Sequence, residues 1–141
     1  FTVAGSPQIA EAEESDLSYS WVVGGYAEGR AWRWRDESWT PLSLPASPAL
    51  NGVACSNELV IAVGAQGSLL AWRPQVSLNS KEQIHRQWVG GAESMILHSA
   101  WASPQGDFWI VGGDLTTLKS GVIITPSDWS PDYGLISREE W

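Results

Sequence analysis

Val60-Ile61-Ala62-Val63-Gly64-Ala65-Gln66-Gly67-Ser68-Leu69-Leu70-Ala71-Trp72 holds two short apolar runs separated by a pair of glycines. Neither run shows the three-to-four spacing of a helix face, and runs this short bounded by glycine predict buried strands. Only Ala65 and Gln66 lie between the glycines. Glycine at both ends of such a loop permits the positive φ that a tight hairpin needs. The stretch therefore predicts a strand, a hairpin and a second strand.

The same stop recurs on either side, in Trp21-Val22-Val23-Gly24-Gly25 and in Asp107-Phe108-Trp109-Ile110-Val111-Gly112-Gly113-Asp114. A further glycine and another β-prone run follow each, as Gly29-Arg30-Ala31-Trp32-Arg33-Trp34 and Gly121-Val122-Ile123-Ile124-Thr125. A segment closing on serine precedes each stop: Val3-Ala4-Gly5-Ser6-Pro7, Val53-Ala54-Cys55-Ser56-Asn57 and Ala100-Trp101-Ala102-Ser103-Pro104. A fourth strand is clearest at Ser38-Trp39-Thr40-Pro41-Leu42, with Gln87-Trp88-Val89 and Asp128-Trp129-Ser130 as weaker copies. Four short strands joined by hairpins, repeating every ~40–50 residues, are the mark of β-propeller blades. The expected fold is all-β: a single propeller segment of three four-stranded antiparallel meanders at 1–49, 50–97 and 98–141. Ten tryptophans and fourteen glycines suit strands and turns.

Leu50-Asn51-Gly52-Val53 with Ser56, Val60 to Gly64, Gly67 to Leu70 with Trp72, and Ser38-Trp39-Thr40 together resemble the propeller repeats abundant in secreted and envelope proteins of bacteria, especially myxobacteria-like species. The resemblance is strongest over residues 17–74. The third unit keeps the serine and the Val-Gly stop and lacks the tryptophan of the third strand. The resemblance implies the fold and an extracytoplasmic location, whether periplasmic, outer-surface or secreted, and it transfers no catalytic residues.

Three blades do not close a ring, since propellers typically have four to eight. The chain starts at Phe1, inside a strand-like segment and without methionine, so a fragment of a longer protein is the first expectation. Self-pairing of two arcs under two-fold symmetry and docking onto another protein are the others.

A net charge of −8 argues against nucleic acid, whose phosphates are bound by Lys and Arg, and against anionic membrane. No apolar run reaches the ~20 residues of a membrane helix. Cys55, the lone cysteine, excludes an internal disulfide and reads as a small core residue.

In the run Arg30-Ala31-Trp32-Arg33-Trp34-Arg35, strand alternation puts Trp32 and Trp34 on one side and Ala31, Arg33 and Arg35 on the other. Basic residues among aromatics suit nucleic-acid stacking. Leu70 and Trp72 fall at the equivalent places, however, which favours blade-to-blade packing. Trp39, Trp88 and Trp129 read as one recurring scaffold position, and Trp21, Trp101 and Trp109 as core. His85 and His98 match no metal spacing. Glu11, Glu13, Glu14 and Asp16 lack the alternating loop of a calcium site. No metal, cofactor or catalytic set is expected.

The departures from the repeat, Gln8 to Asp16, Pro74 to Ile84 and Asp114 to Ser120, are where a partner would be read, because loops on rigid scaffolds carry function. The candidate partner-binding residues are Glu11, Glu13, Glu14, Asp16, Lys81, Glu82, Asp114 and Lys119. The expected function is a non-catalytic protein-interaction scaffold, bound through these loops and the open blade edges by a protein or by further blades. A carbohydrate-binding propeller lectin and a fragment of a propeller hydrolase are the alternatives.

Overall fold

The computed structural model describes residues 2–5, 20–56, 59–74, 84–88, 95–103, 105–114, 116–117 and 120–125. Among these, every regular element is a strand except one 3-10 turn, Ala65–Gly67. β1 (Thr2–Gly5), β2 (Ser20–Gly24), β3 (Arg30–Arg35) and β4 (Ser38–Pro41) form the first sheet in chain order. β5 (Leu50–Cys55), β6 (Val60–Gly64), β7 (Ser68–Trp72) and β8 (His85–Trp88) form the second, and β9 (Ile96–Ala102), β10 (Phe108–Gly113) and β11 (Gly121–Ile124) the third. The chain is all-β, with three antiparallel blade-like meanders that close no ring among the described residues. The third sheet starts at Ile96, just before the boundary expected at His98. Its expected fourth strand, Asp128-Trp129-Ser130, lies outside the described residues.

Strand register sets the hairpins of the three sheets in residue-by-residue correspondence. Val23 pairs with Ala31, Val63 with Leu69 and Val111 with Ile123. The second and third sheets share an irregularity as well. The register slips between Leu50 and Gly52 where β5 meets Gly64, and again between Val111 and Gly112 where β10 meets Leu97.

The glycine stop has a different cause from the one its sequence suggests. Gly64 is extended, with φ −170°, so it needs no left-handed freedom. A Cβ there would sit 2.1 Å from the Ala49 carbonyl oxygen, and one on Gly112 would sit 2.5 Å from that of Ile96. The strand ends at glycine because the chain running into the first strand of its own sheet passes directly against it. Positive φ falls instead on Gln66 and Gly67 in this hairpin and on Gly25 in the first.

In the first two units the second glycine joins neighbouring sheets. The Gly29 N–H donates to the Ser47 carbonyl and the Gly67 N–H to that of Met95, both at 2.9 Å. Each acceptor lies on the segment leading into the next sheet. The recurring serine closes the turn between first and second strands. Ser56 Oγ accepts the Leu59 N–H at 3.2 Å, and Ser103 Oγ accepts that of Asp107 at 3.1 Å. The serine N–H groups donate back to the carbonyls of Leu59 and Asp107.

The second sheet is the middle layer. Val53, Cys55, Val60, Ala62, Leu70 and Trp72 pack on Trp21, Val23 and Ala31 of the first sheet. Ala54, Ile61, Val63, Leu69 and Ala71 face the other way, onto Leu97, Phe108, Ile110 and Ile124 of the third. With both faces covered, every residue of β6 and β7 is buried, which is why their sequences are continuous apolar runs. Each fully buried large apolar side chain contributes ~1.5–3 kcal/mol. Asn51 Nδ2 donates to the Leu97 carbonyl at 3.2 Å, and β5 lies between β1 and β9. The first strands of the three sheets therefore run side by side along the inner edge of the fan.

Candidate interaction faces

Alternation on the two outer sheets leaves one face of each without a neighbour among the described residues. On the first sheet, Trp21, Val23 and Ala31 point at the second sheet, so Val22, Trp32 and Trp34 point away. Cross-strand register sets Val22 beside Trp32, Trp32 beside Pro41 and Trp34 beside Trp39. The Trp34 and Trp39 rings meet with centroids 5.2 Å apart at 52°, the tilted geometry aromatic pairs prefer. Trp39 remains 48% exposed. The turn that presents it, Asp36-Glu37, has both residues at positive φ, as a two-residue I′ hairpin requires. Ser38 Oγ donates to the Arg35 carbonyl at 3.0 Å across that turn.

On the third sheet Phe108, Ile110 and Ile124 pack inward, and Trp101, Trp109, Val111 and Ile123 form the opposite face. Register places Trp101 beside Trp109 and Val111 beside Ile123. The two indoles meet at 4.8 Å and 48°. Trp101 is 58% and Ile123 68% exposed. Of the large apolar side chains exposed among the described residues, all but Tyr26 lie on these two faces. Contiguous apolar surface of this kind marks interaction sites.

Several sequence expectations meet a definite outcome here. The alternation in the Arg-Trp run is as read, and Trp34 occupies the place that Trp72 holds one sheet later. Trp72 is buried against the first sheet, whereas Trp34 is half-buried on an open face. Arg35 is buried on the opposite side, its Nε 3.3 Å from Asp36 Oδ2. Trp21 is core. Trp101 and Trp109 are not: they stand where the second sheet has Ala54 and Ile61, on the side of the third sheet that has no neighbour among the described residues. Nor do Trp39 and Trp88 share a position. Trp39 pairs with Trp34, while Trp88 pairs with Ser68. Carried one residue past its last pair, Ala71 with His85, the register makes Ile84 the counterpart of Trp39, and Ile84 packs at the joint of the first two sheets.

Of the candidate partner-binding residues, Asp114 is described. Its Oδ1 accepts the Thr116 N–H at 2.7 Å and its Oδ2 the Thr117 hydroxyl at 2.7 Å, capping the hairpin between β10 and β11. The Thr117 hydroxyl and Thr116 N–H hold its carboxyl below the usual value. Glu11, Glu13, Glu14, Asp16, Lys81, Glu82 and Lys119 lie outside the described residues. Burial pushes the Cys55 thiol up to about 11, so it stays protonated and poorly nucleophilic near neutrality.

Among the described residues no three His, Cys, Asp or Glu side chains gather into a metal-binding group, and no helix is long and apolar enough to cross a membrane. A cleft of about 620 Å³ opens between the β2–β3 hairpin and the segment after β4, walled by Trp32, Arg30, Glu28 and Leu44. No protein-family model, curated protein or solved structure matches the chain.

Proposed function

We propose that the chain is a non-catalytic protein-interaction scaffold, working outside the cytoplasm, whose partner is met across the open sheet faces and the hairpin tips beside them. One observation carries this reading. Both outer faces carry a tryptophan pair with one indole exposed, Trp39 on the first sheet and Trp101 on the third, the latter beside exposed Val111 and Ile123, where the middle sheet buries its own side chains against a neighbour. Tryptophan is enriched among the anchors of protein interfaces, and paired indoles offer a large area at little conformational cost. The extracytoplasmic setting rests on the likeness of the repeat to secreted bacterial propellers.

A carbohydrate-binding reading has one observation in its favour, the cleft beside Trp32 with Arg30 and Glu28 on its walls. It is not a repeated feature: the counterparts of Trp32 are Leu70 and Ile124, both buried. A photo-activated crosslinker at Ser99, exposed on the third sheet's outer face, separates the two. Protein adducts from Ser99 in the native cell, with no retention on a glycan panel, are expected. Glycan retention lost in Trp32→Ala, without protein adducts, would replace the scaffold with a lectin.

A further inference from the structure

We infer that the occupant of both open faces is a second copy of this chain, bound head to tail, so that two three-sheet fans close a six-sheet ring. The inference rests on the scaffold reading above and names its partner. Inside the chain, the joint between sheets is always formed the same way. The face carrying Ile61, Val63 and Leu69 meets the next sheet, and the face carrying Ala62, Leu70 and Trp72 meets the previous one. By register, the outer face of the third sheet is of the first kind: Trp109, Val111 and Ile123 replace Ile61, Val63 and Leu69. The outer face of the first sheet is of the second kind: Val22, Trp32 and Trp34 replace Ala62, Leu70 and Trp72. The two open faces are thus the two halves of a joint the molecule already makes twice.

A glycine supports this independently. Gly29 is crowded by the chain leading into the next sheet, where a Cβ would lie 2.4 Å from Ser47 Oγ; Gly67, a glycine for its positive φ, donates to Met95 on the equivalent segment. Gly121 holds the same register position in the third sheet. It does not adopt positive φ, and the nearest atom to a Cβ there is the Gly112 oxygen at 3.6 Å. Nothing among the described residues requires a glycine there. The segment leading into a fourth sheet would.

Both halves of the joint sit on one chain, so a second copy covers both at once. Head-to-tail contacts give a ring when the rotation closes and a filament when it does not. Rings built from whole three-sheet copies contain six sheets, or nine and more, and propellers typically have four to eight. Two copies about the ring axis satisfy that range.

The test is the mass of the 141-residue chain by light scattering or sedimentation, with one charged variant on each face. Ile123→Glu alters the third sheet's open face and Trp39→Glu the first's; both residues are well exposed in the single chain, and circular dichroism checks that each variant folds. The wild type is expected at twice the 15.4 kDa chain mass. Each variant alone is expected to be monomeric, with dimer dissociation raised about a hundredfold or more. Mixing the two variants is expected to restore a dimer, because one joint then pairs two unaltered faces. A wild-type monomer at every concentration, a dimer that the mixture fails to restore, or a mass that keeps growing with concentration would each overturn the inference. A monomer that still gives protein adducts at Ser99 would do so while leaving the scaffold reading in place.

Discussion

The middle sheet and the two outer sheets carry the same repeat in different surroundings. In β6 and β7 every residue is buried, and the two faces are filled with Val, Ile, Leu and Ala plus Trp72. In β3 and β10, one face is core and the other is half-open. That open face holds large aromatics where the middle sheet holds compact aliphatics: Trp32 for Leu70, Trp109 for Ile61, Trp101 for Ala54. The backbone pattern is indifferent to this exchange, because hairpins, glycine stops and serine-capped turns depend on local geometry. Side-chain size is not indifferent. The joint between the second and third sheets is filled by aliphatics and Phe108, and that between the first and second adds the fully buried Trp21 and Trp72, whereas the tryptophans at the ends of the fan, Trp39 and Trp101, stand exposed.

The largest effect that would break this comparison is expected at the glycine stop. Gly64→Ala places a methyl on the Ala49 carbonyl and against the Leu50 Cα, both backbone, so relief requires the inner strand to shift. We expect a loss of about 4 kcal/mol or more in urea unfolding. Gly121→Ala in the third sheet meets nothing closer than 3.6 Å and is expected to change monomer stability by less than ~0.5 kcal/mol. Equal costs at the two sites would mean that the chain leading into a sheet is not what excludes the side chain at Gly64.

Next comes an equivalent pair of aliphatic positions. Leu69 is fully buried between the second and third sheets, and Ile123, its counterpart, is 68% exposed. Leu69→Ala is expected to cost about 2–5 kcal/mol and Ile123→Ala less than about 0.5 kcal/mol when both are measured on the dilute chain. A smaller effect is expected at the β3–β4 turn, where Glu37 sits at φ 58°. Left-handed backbone costs a non-glycine residue about 1 kcal/mol or slightly more, so Glu37→Gly is expected to raise stability by up to ~1 kcal/mol by thermal unfolding.

Most of the fold was legible in the sequence. The recurrence of apolar run, glycine, short loop and apolar run specified the hairpins of all three sheets, and the serine alignment located their first strands. Which faces are covered was not legible, because tryptophan in an apolar strand reads as core whether or not a neighbour lies over it. Trp101 and Trp109 show this directly: their flanking residues match those of buried positions, and only the number of sheets in the fan exposes them. Trp39 and Trp88 misled for another reason. A local Ser-Trp-Thr pattern suggested equivalence, while register, which depends on pairing across the sheet, assigns the position to Ile84. At Gly64 the residue type was informative and its cause was not, since close approach of a distant segment leaves no local mark. Of the charged loop residues, Asp114 shows why composition alone is a weak guide: its carboxylate is spent on capping its own turn.

The last expected effect, absent at neutral pH, probes the covered joint from inside. Cys55 lies on the second sheet's face toward the first, packed with Trp21 and Trp72, and burial raises its thiol from the ordinary 9.0 to about 11. The folded chain therefore holds this proton more tightly than the unfolded chain does. Its contribution to stability is fully present below about pH 9 and is lost as pH rises through about 11, because the unfolded chain can release the proton first. Unfolding free energy measured against Cys55→Ala should show the wild type falling relative to the variant across that window and running parallel to it below. A thiol reagent at pH 8 should label Cys55 only as fast as the first two sheets separate, and charged substitutions at Ile123, on the far side of the fan, should leave that rate unchanged. Rapid labelling of the folded chain would show that the joint between the first two sheets opens as readily as the end faces stand open, and the distinction between permanent and separable faces would fail.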